Sequence, residues 1–351
     1  MTPPDAPRAG RGAWADSGVE TVAPGVHRIP LPLPGDGLTA VNVYALVHDG
    51  RVTLVDSGWS FGPGLDVLTD SLARLDIDLG QLDRVLVTHF HRDHLTLAFR
   101  LRELFGTRVL LGEGERPSLE YVIAGHADGQ RSWLVRWGAE ELRASLDALP
   151  PAPDSRYETP DEWIAAPAEM VVGERRLRAI PTPGHTRGHL VFADVDHGLL
   201  FSGDHVLPQI TPSIAVESLR PELPLGDFLS SLQLVRELPD LHLLPAHGPA
   251  DRRSHGRIDE LMEHHRARLA ATREAVRGRS LTALEAARLL PWTRREHTFV
   301  ELDVHNQLLA VAETAAHLDV LVRDGALAAR ETHDVRTYTL APGGTDAHGH
   351  E

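Results

Sequence analysis

The chain of 351 residues contains no cysteine and no lysine, so all 35 of its basic residues are arginine. The first absence excludes disulfides, thiolate nucleophiles, iron–sulfur clusters and all-cysteine zinc sites. The second excludes a phosphate-loop lysine, Schiff-base chemistry and the lysine of protein kinases. Any metal here must rest on imidazole and carboxylate. No run approaches the roughly 18 consecutive apolar residues of a membrane span. The opening stretch, Met1 to Gly12, is rich in Pro, Gly and Arg without an apolar segment, so no secretory signal is expected and the cytoplasm is the expected compartment. Asparagine occurs only at Asn42 and Asn306, and with so much Arg and Ala this suggests GC-rich codons and a bacterial source.

Charge is one-sided as well: the formal net charge is −15, so a polyanionic partner meets a repulsive average field. Hydrophobic residues at 42% and charged residues at 24% are ordinary for a globular chain, and the length suits two domains of about 150 residues or one with an appendage. Histidine is the residue in excess, with 21 copies.

The early pattern is hairpin-rich, with strands expected over 26–33, 39–47 and 52–55. A helix over 65–75, a strand at 85–87, a helix closed by Gly106 and a strand at 109–111 then make a strand–helix–strand unit with a parallel pair. Residues 113–167 hold Trp133, Trp137, Trp163, Tyr121 and Tyr157, an aromatic insertion that could line a pocket or serve as a cap with its own small core. Strands resume at 170–172, 177–180, 190–193 and 199–201, followed by a helix over 227–238, a strand at 241–244 and a long helix over 257–277. Hairpins mixed with crossover helices favour a layered sheet sandwich with helices outside. Beyond Gly278 come two helices and two short strands, the order of a winged-helix module. The expected units are thus a flexible start over 1–20, a catalytic domain over 21–278, a winged-helix-like module over 279–341 and a tail over 342–351.

The run Thr88-His89-Phe90-His91-Arg92-Asp93-His94 follows a buried strand and precedes a helix, so side chains at 89, 91, 93 and 94 can converge on one point. Three further segments each put a polar ligand at the mouth of a strand: Pro183-Gly184-His185, Ser202-Gly203-Asp204 and Ala246-His247-Gly248. Five His and two Asp are too many donors for one tetrahedral ion and suit two.

With Leu54-Val55-Asp56-Ser57-Gly58 and the pair Gly184-His185 and Gly188-His189, these motifs resemble the metallo-β-lactamase-fold hydrolases over about residues 26–250. The resemblance implies an α/β fold, the αββα sandwich. It implies His89, His91 and His185 on one metal, Asp93, His94 and His247 on the other, and Asp204 bridging, with Asp56 and His189 supporting the ligands from behind. Two cations sharing a water would lower its pKa toward roughly 7 and give a bridging hydroxide as nucleophile. Asp93 and Asp204 are the expected catalytic carboxylates. Zinc is the expected ion, and iron or manganese suit the same donors. The implied enzyme is a dinuclear hydrolase of a small ester, thioester or lactone.

Within the fold, the chain lacks the Cys ligand of the commonest β-lactamases. It shares its ligands with glyoxalase II, whose basic substrate-binding residues cannot be matched here. The C-terminal segment resembles that of the β-lactamase-like protein 2 branch, which keeps an endoribonuclease or phosphodiesterase alternative, and a mononuclear iron persulfide dioxygenase is the non-hydrolytic alternative. Seven Arg against nine acids between Arg279 and Leu340 argue against nucleic acid as a partner. Packing on the catalytic domain or forming a homodimer is the role expected of that segment. Gly58-Trp59-Ser60-Phe61-Gly62 matches a nucleophile-elbow pattern but reads as a Gly-rich loop, because Ser57 and Gly58 separate it from the strand. Nine other histidines, including His265 and His317, read as ordinary surface residues.

Overall fold

Alternation along the strands sends neighbouring side chains to opposite faces, and here both faces are apolar. Val43 and Ala45 point one way, Tyr44 and Leu46 the other; Val191 and Ala193 oppose Leu190 and Phe192 in the same manner. Sheets buried on both faces need a partner on each, which dictates layers. A computed structural model describes residues 14–16, 18–34, 37–126, 129–149, 155–292 and 297–342 of the chain.

The first sheet contains β1 (Glu20–Ala23), β2 (Val26–Pro32), β3 (Ala40–His48), β4 (Arg51–Val55), β5 (Leu82–Val87), β6 (Arg108–Gly112) and β7 (Glu162–Ile164), in chain order. Its first four strands are antiparallel and its last four parallel. The second runs β12-β11-β10-β9-β8, from β8 (Ala168–Val172), β9 (Arg175–Pro181), β10 (Leu190–Asp194), β11 (Leu199–Gly203) and β12 (His242–Pro245). Between the sheets lie Tyr44, Leu86 and Leu110 from one side and Phe192, Phe201 and Leu244 from the other, with the Tyr44 and Phe201 rings 5.4 Å apart. Helices α1 (Gly64–Ala73), α2 (Arg92–Phe105) and α3 (Arg116–Ile123) cover the outer face of the first sheet. The outer face of the second is covered by α4 (Gly129–Arg136), α5 (Leu142–Asp147), α6 (Pro224–Arg236), α7 (Ser254–Val276), α8 (Ala283–Ala287) and α9 (Val304–Arg323). The result is the expected αββα sandwich.

The chain ends in a two-stranded sheet, β13 (Leu327–Thr332) and β14 (Val335–Leu340). Helix α9 is buried along most of residues 308–321 and shares one apolar cluster with α6, α7 and the second sheet. This burial overturns the surface reading of two histidines. His265 and His317 are 1% and 0% exposed, with His265 Nδ1 3.2 Å from His317 Nε2. His317 donates from Nδ1 to the Glu313 carbonyl one turn back, at 2.7 Å, which is how an imidazole survives in a helix interface. The 113–167 stretch is also divided. Glu162–Ile164 pairs with β6 as the edge strand β7, too short for its pattern to be read, while Trp137 is buried beside α8 and α9. Parts of the expected start, the insertion and the tail fall outside the described residues. No described helix is long and apolar enough to cross a membrane.

Phe192, wholly buried between the sheets, tests this layering. Phe192→Ala should cost about 3–5 kcal/mol by leaving a cavity there, read as a lower denaturant midpoint with an unchanged slope; an unchanged midpoint would contradict the packing.

Candidate metal centre

Five of the seven donors follow strand ends, and Asp93 and His94 sit in the first turn of α2. Strands β9 and β11 are both antiparallel to β10, and β12 is parallel to β11, so all three finish at one edge. His185, Asp204 and His247 follow those three ends. On the opposite sheet, parallel β4 and β5 finish at Val55 and Val87, just before Asp56 and the 88–94 run. Ser57 ties the two together: its N–H and its hydroxyl both donate to the His94 carbonyl, at 2.9 and 2.8 Å. Gly203 lets Asp204 come close. Its φ is +49°, and a Cβ there would lie 2.7 Å from His189 Nε2 and 2.8 Å from Thr88 Cβ.

The donors form two groups. His91 Nδ1 lies 3.0 Å from both His89 Nε2 and His185 Nε2. Asp93 Oδ2 lies 3.5 Å from His94 Nε2 and 3.4 Å from His247 Nε2. Asp204 stands between the groups, with Oδ2 3.5 Å from His185 Nε2 and Oδ1 3.4 Å from His247 Nε2 and 3.8 Å from His94 Nε2. All seven residues named from the sequence are brought together.

The surroundings fix which ring nitrogens face inward. His185 donates from Nδ1 to the Ser213 carbonyl and His247 to the Ala40 carbonyl, each at 2.8 Å. His94 donates from Nδ1 to Asp56 Oδ2 at 2.9 Å. Thr88 directs its hydroxyl to Asp56, which leaves its oxygen to accept His89 Nδ1–H at 3.0 Å. Each of these rings, when neutral, therefore turns a bare Nε2 lone pair inward. In the second group His94 Nε2, His247 Nε2 and Asp204 Oδ1 are buried at ion-pair distances from the facing carboxylates and rings but without a hydrogen bond. Orphans of this kind cost about 1–3 kcal/mol each. A divalent cation would satisfy them, so the donor set fits a metal.

Electrostatics distinguish the groups. Burial, reinforced by the crowded imidazoles, holds His89 well below the usual histidine range and His91 down at about 3; burial also lowers His185. In the second group burial opposes charge and loses. His94 is pushed up to about 10 by Asp93, Asp56 and Asp204 despite its desolvation, and His247 is raised by Asp204 and Asp93 in the same way. Burial would raise Asp93 and Asp204, but the facing histidines hold both low. Without metal, a proton on His94 stands in for a cation.

Asp56 and His189 act one layer out. Asp56, with φ +59°, also accepts the Thr88 N–H at 2.8 Å. His189, kept neutral by burial, accepts the Asp204 N–H on Nε2 at 3.1 Å. Sequence reading missed Asn42, which is wholly buried in β3 and donates from Nδ2 to the Pro245 and Gly248 carbonyls on either side of His247, at 2.9 and 2.8 Å. A lone Asn inside an apolar strand was its only signal. Ser60 donates its N–H to Thr96 Oγ1, and α1 begins only at Gly64, so the GxSxG run is no strand-to-helix elbow.

Comparison with known proteins agrees with this geometry. The family model of the metallo-beta-lactamase superfamily matches residues 36–254. A probable metallo-hydrolase of Bacillus subtilis, YqjP, is 24% identical over 319 residues, spanning 86% of this chain and 92% of that protein. A hydroxyacylglutathione hydrolase of Bartonella quintana is 27% identical over 206 residues, 58% of this chain and 61% of that enzyme. The crystal structure of a beta-lactamase domain protein from Burkholderia ambifaria is 30% identical, with a TM-score of 0.76, covering 95% of this chain and 96% of the other.

Two outcomes follow for the metal-free protein. Because His94 keeps its proton until about pH 10 and a ligand must be neutral, metal uptake near pH 7 should release protons, and affinity should climb up to about tenfold per pH unit. Titration calorimetry in buffers of different ionisation enthalpy reads this directly; no buffer dependence would refute it. Asp56→Asn removes the charge behind His94 and should weaken metal binding about 10- to 100-fold in chelator competition.

Proposed function

From the premise that the chain belongs to the metallo-β-lactamase superfamily, we propose that this metal-dependent hydrolase holds two divalent cations and cleaves a small ester, thioester or lactone. His89, His91 and His185 would hold one cation, Asp93, His94 and His247 the other, and Asp204 would reach both. One observation carries the reading: Asp204 turns Oδ2 toward His185 and Oδ1 toward His94 and His247, one oxygen for each group. Zinc is the ion proposed, because imidazole and carboxylate in small numbers suit it; iron and manganese accept the same donors. Cations bound there lower the pKa of water from about 15.7 toward about 7 and draw electron density from a substrate oxygen.

The rest of the chemistry belongs to the chain's own residues. Asp93 stays ionised beside His94 and His247; with Oδ2 facing those rings as the donor, its other carboxylate oxygen could take the proton of the attacking water and hand it to the leaving group. His89 and His185 are kept from protonating by burial and hold their lone pairs inward. Beside Asp93, the Arg92 guanidinium stacks on Trp59 at 4.4 Å and the Phe61 ring flanks Trp59 at 5.2 Å. Tyr157 stands near Asp93 and Arg92, and burial raises its pKa, so it keeps its hydroxyl proton. With Trp59 buried beneath Arg92, the exposed Phe61 ring and the half-buried Tyr157 would offer the apolar wall to an acyl group.

A small carbonyl substrate rather than a polyanion is supported by the net charge of −15 and by the burial of α9, the helix a nucleic-acid reading would need exposed. The likeness to a hydroxyacylglutathione hydrolase adds support for a thioester. Elemental analysis should find two ions per chain, and chelation should abolish turnover of a thioester or a lactone while structured RNA stays intact. One iron per chain would favour the dioxygenase alternative, and cleavage of RNA alone would overturn the acyl reading. Asp204→Asn should lower kcat by more than the roughly 10- to 100-fold that loss of an outer partner costs, with circular dichroism unchanged.

A further inference from the structure

Two buried carboxyl groups outside the donor set meet behind the His185 loop. Glu115, in the turn between β6 and α3, is 0% exposed, and Glu217 is 5% exposed. The Thr186 hydroxyl donates to Glu115 Oε1, the backbone N–H groups of Phe90 and Gly188 lie close enough to the same carboxyl to act on it, and Oε2 is buried without a hydrogen bond. The Ser118 hydroxyl donates to Glu217 Oε1, and the Arg187 N–H donates to Glu217 Oε2 at 3.0 Å.

Each partner occupies a telling place. Phe90 lies between His89 and His91. Thr186, Arg187 and Gly188 link His185 to His189. Ser213, four residues before Glu217, supplies the carbonyl that takes His185 Nδ1–H at 2.8 Å. The two acids therefore grip every segment that carries a donor of the first histidine group while touching none of the donors.

The segments meet backbone to backbone. A Cβ at Gly188 would lie 2.1 Å from Glu115 N, and one at Gly114 would lie 2.8 Å from Gly188 Cα. Any shift of one loop is passed to the other.

We propose that Glu115 and Glu217 are positioning residues, a buried carboxyl clamp that sets the His89–His91 turn and the His185 loop in the register the first histidine group needs to hold a cation. This rests on reading that group as metal-binding. Burial raises the pKa of Glu115 and the neighbouring Glu217 carboxylate raises it further, while burial also raises Glu217. Both shifts favour the uncharged carboxyl, so a carboxamide is the conservative replacement.

The test uses the full chain, with zinc and cobalt(II) as probes. Glu115→Ala and Glu217→Ala should each weaken retention of one of two cations about 10- to 100-fold in chelator competition and alter the cobalt absorption spectrum. They should lower kcat while leaving KM within about twofold. Glu115→Gln, uncharged and still able to accept from Thr186, should restore most of the affinity and the spectrum. Thr186→Val, which removes one donor and keeps the shape, should reproduce part of the Ala defect even if the Ala variants fold poorly. The clamp falls if the Ala variants keep wild-type cation affinity and spectrum. It falls equally if Gln and Ala both lose the two cations alike with a lower metal-free Tm, the signature of mere scaffolding. Wild-type protein that takes up no cation would instead sink the metal reading on which the clamp stands.

Discussion

Five imidazoles and two carboxylates are packed into one buried cluster, and the surrounding structure fixes which ring atoms face its centre. Carbonyls at Ala40 and Ser213, the Asp56 carboxylate and the Thr88 hydroxyl each engage one ring nitrogen, which leaves the other bare and pointed inward. A buried polar group turns toward whatever partner is near, and for these four rings that partner lies on the outer side. The sandwich supplies the rigidity. Three parallel strand ends on one sheet and two on the other bring residues far apart in sequence to one rim, and the apolar layer between the sheets holds the rims in register.

Much of this was legible before any coordinates. The 88–94 run is local, so its convergence follows from a strand, a tight turn and a helix start. His185, Asp204 and His247 were legible because each follows an apolar strand and sits against Gly or Pro. Glu115, Glu217 and Asn42 were not legible in that way, because nothing near them in sequence marks them. Glu115 reads as an acid before a helix, an ordinary placement. Its meaning comes from Thr186 and Gly188, some 70 residues later. His265 and His317 escaped for a related reason: whether an imidazole on a helix is wet or dry depends on what packs across it. Element existence followed from periodicity, whereas a three-residue edge strand such as β7 carries too few alternations to be read.

The lack of lysine has a structural counterpart. Arg92 lies 4.4 Å over Trp59, Arg116 4.7 Å over Trp163 and Arg268 3.9 Å over Trp292. A flat guanidinium covers an indole face and keeps its edge free for hydrogen bonds, which a compact ammonium cannot do. Arg220 lies 5.2 Å over Trp133 as well, so four of the six Trp in the chain are roofed in this way, and one of those roofs lies next to the donor cluster. Arginine here extends the apolar layers outward while carrying charge to their boundary.

Asn42 joins residues 203 and 206 positions away in sequence, across both sheets. Its amide stitches the opening strands of the chain to the loop that delivers the last imidazole. A nascent chain that has emerged just past β11, through Asp204, carries six of the seven donors yet lacks the final one and the stitch that seats it. Closure of the cluster is therefore a late event in the life of each molecule, and a seated His247 certifies that both ends of the catalytic sandwich have been made and docked.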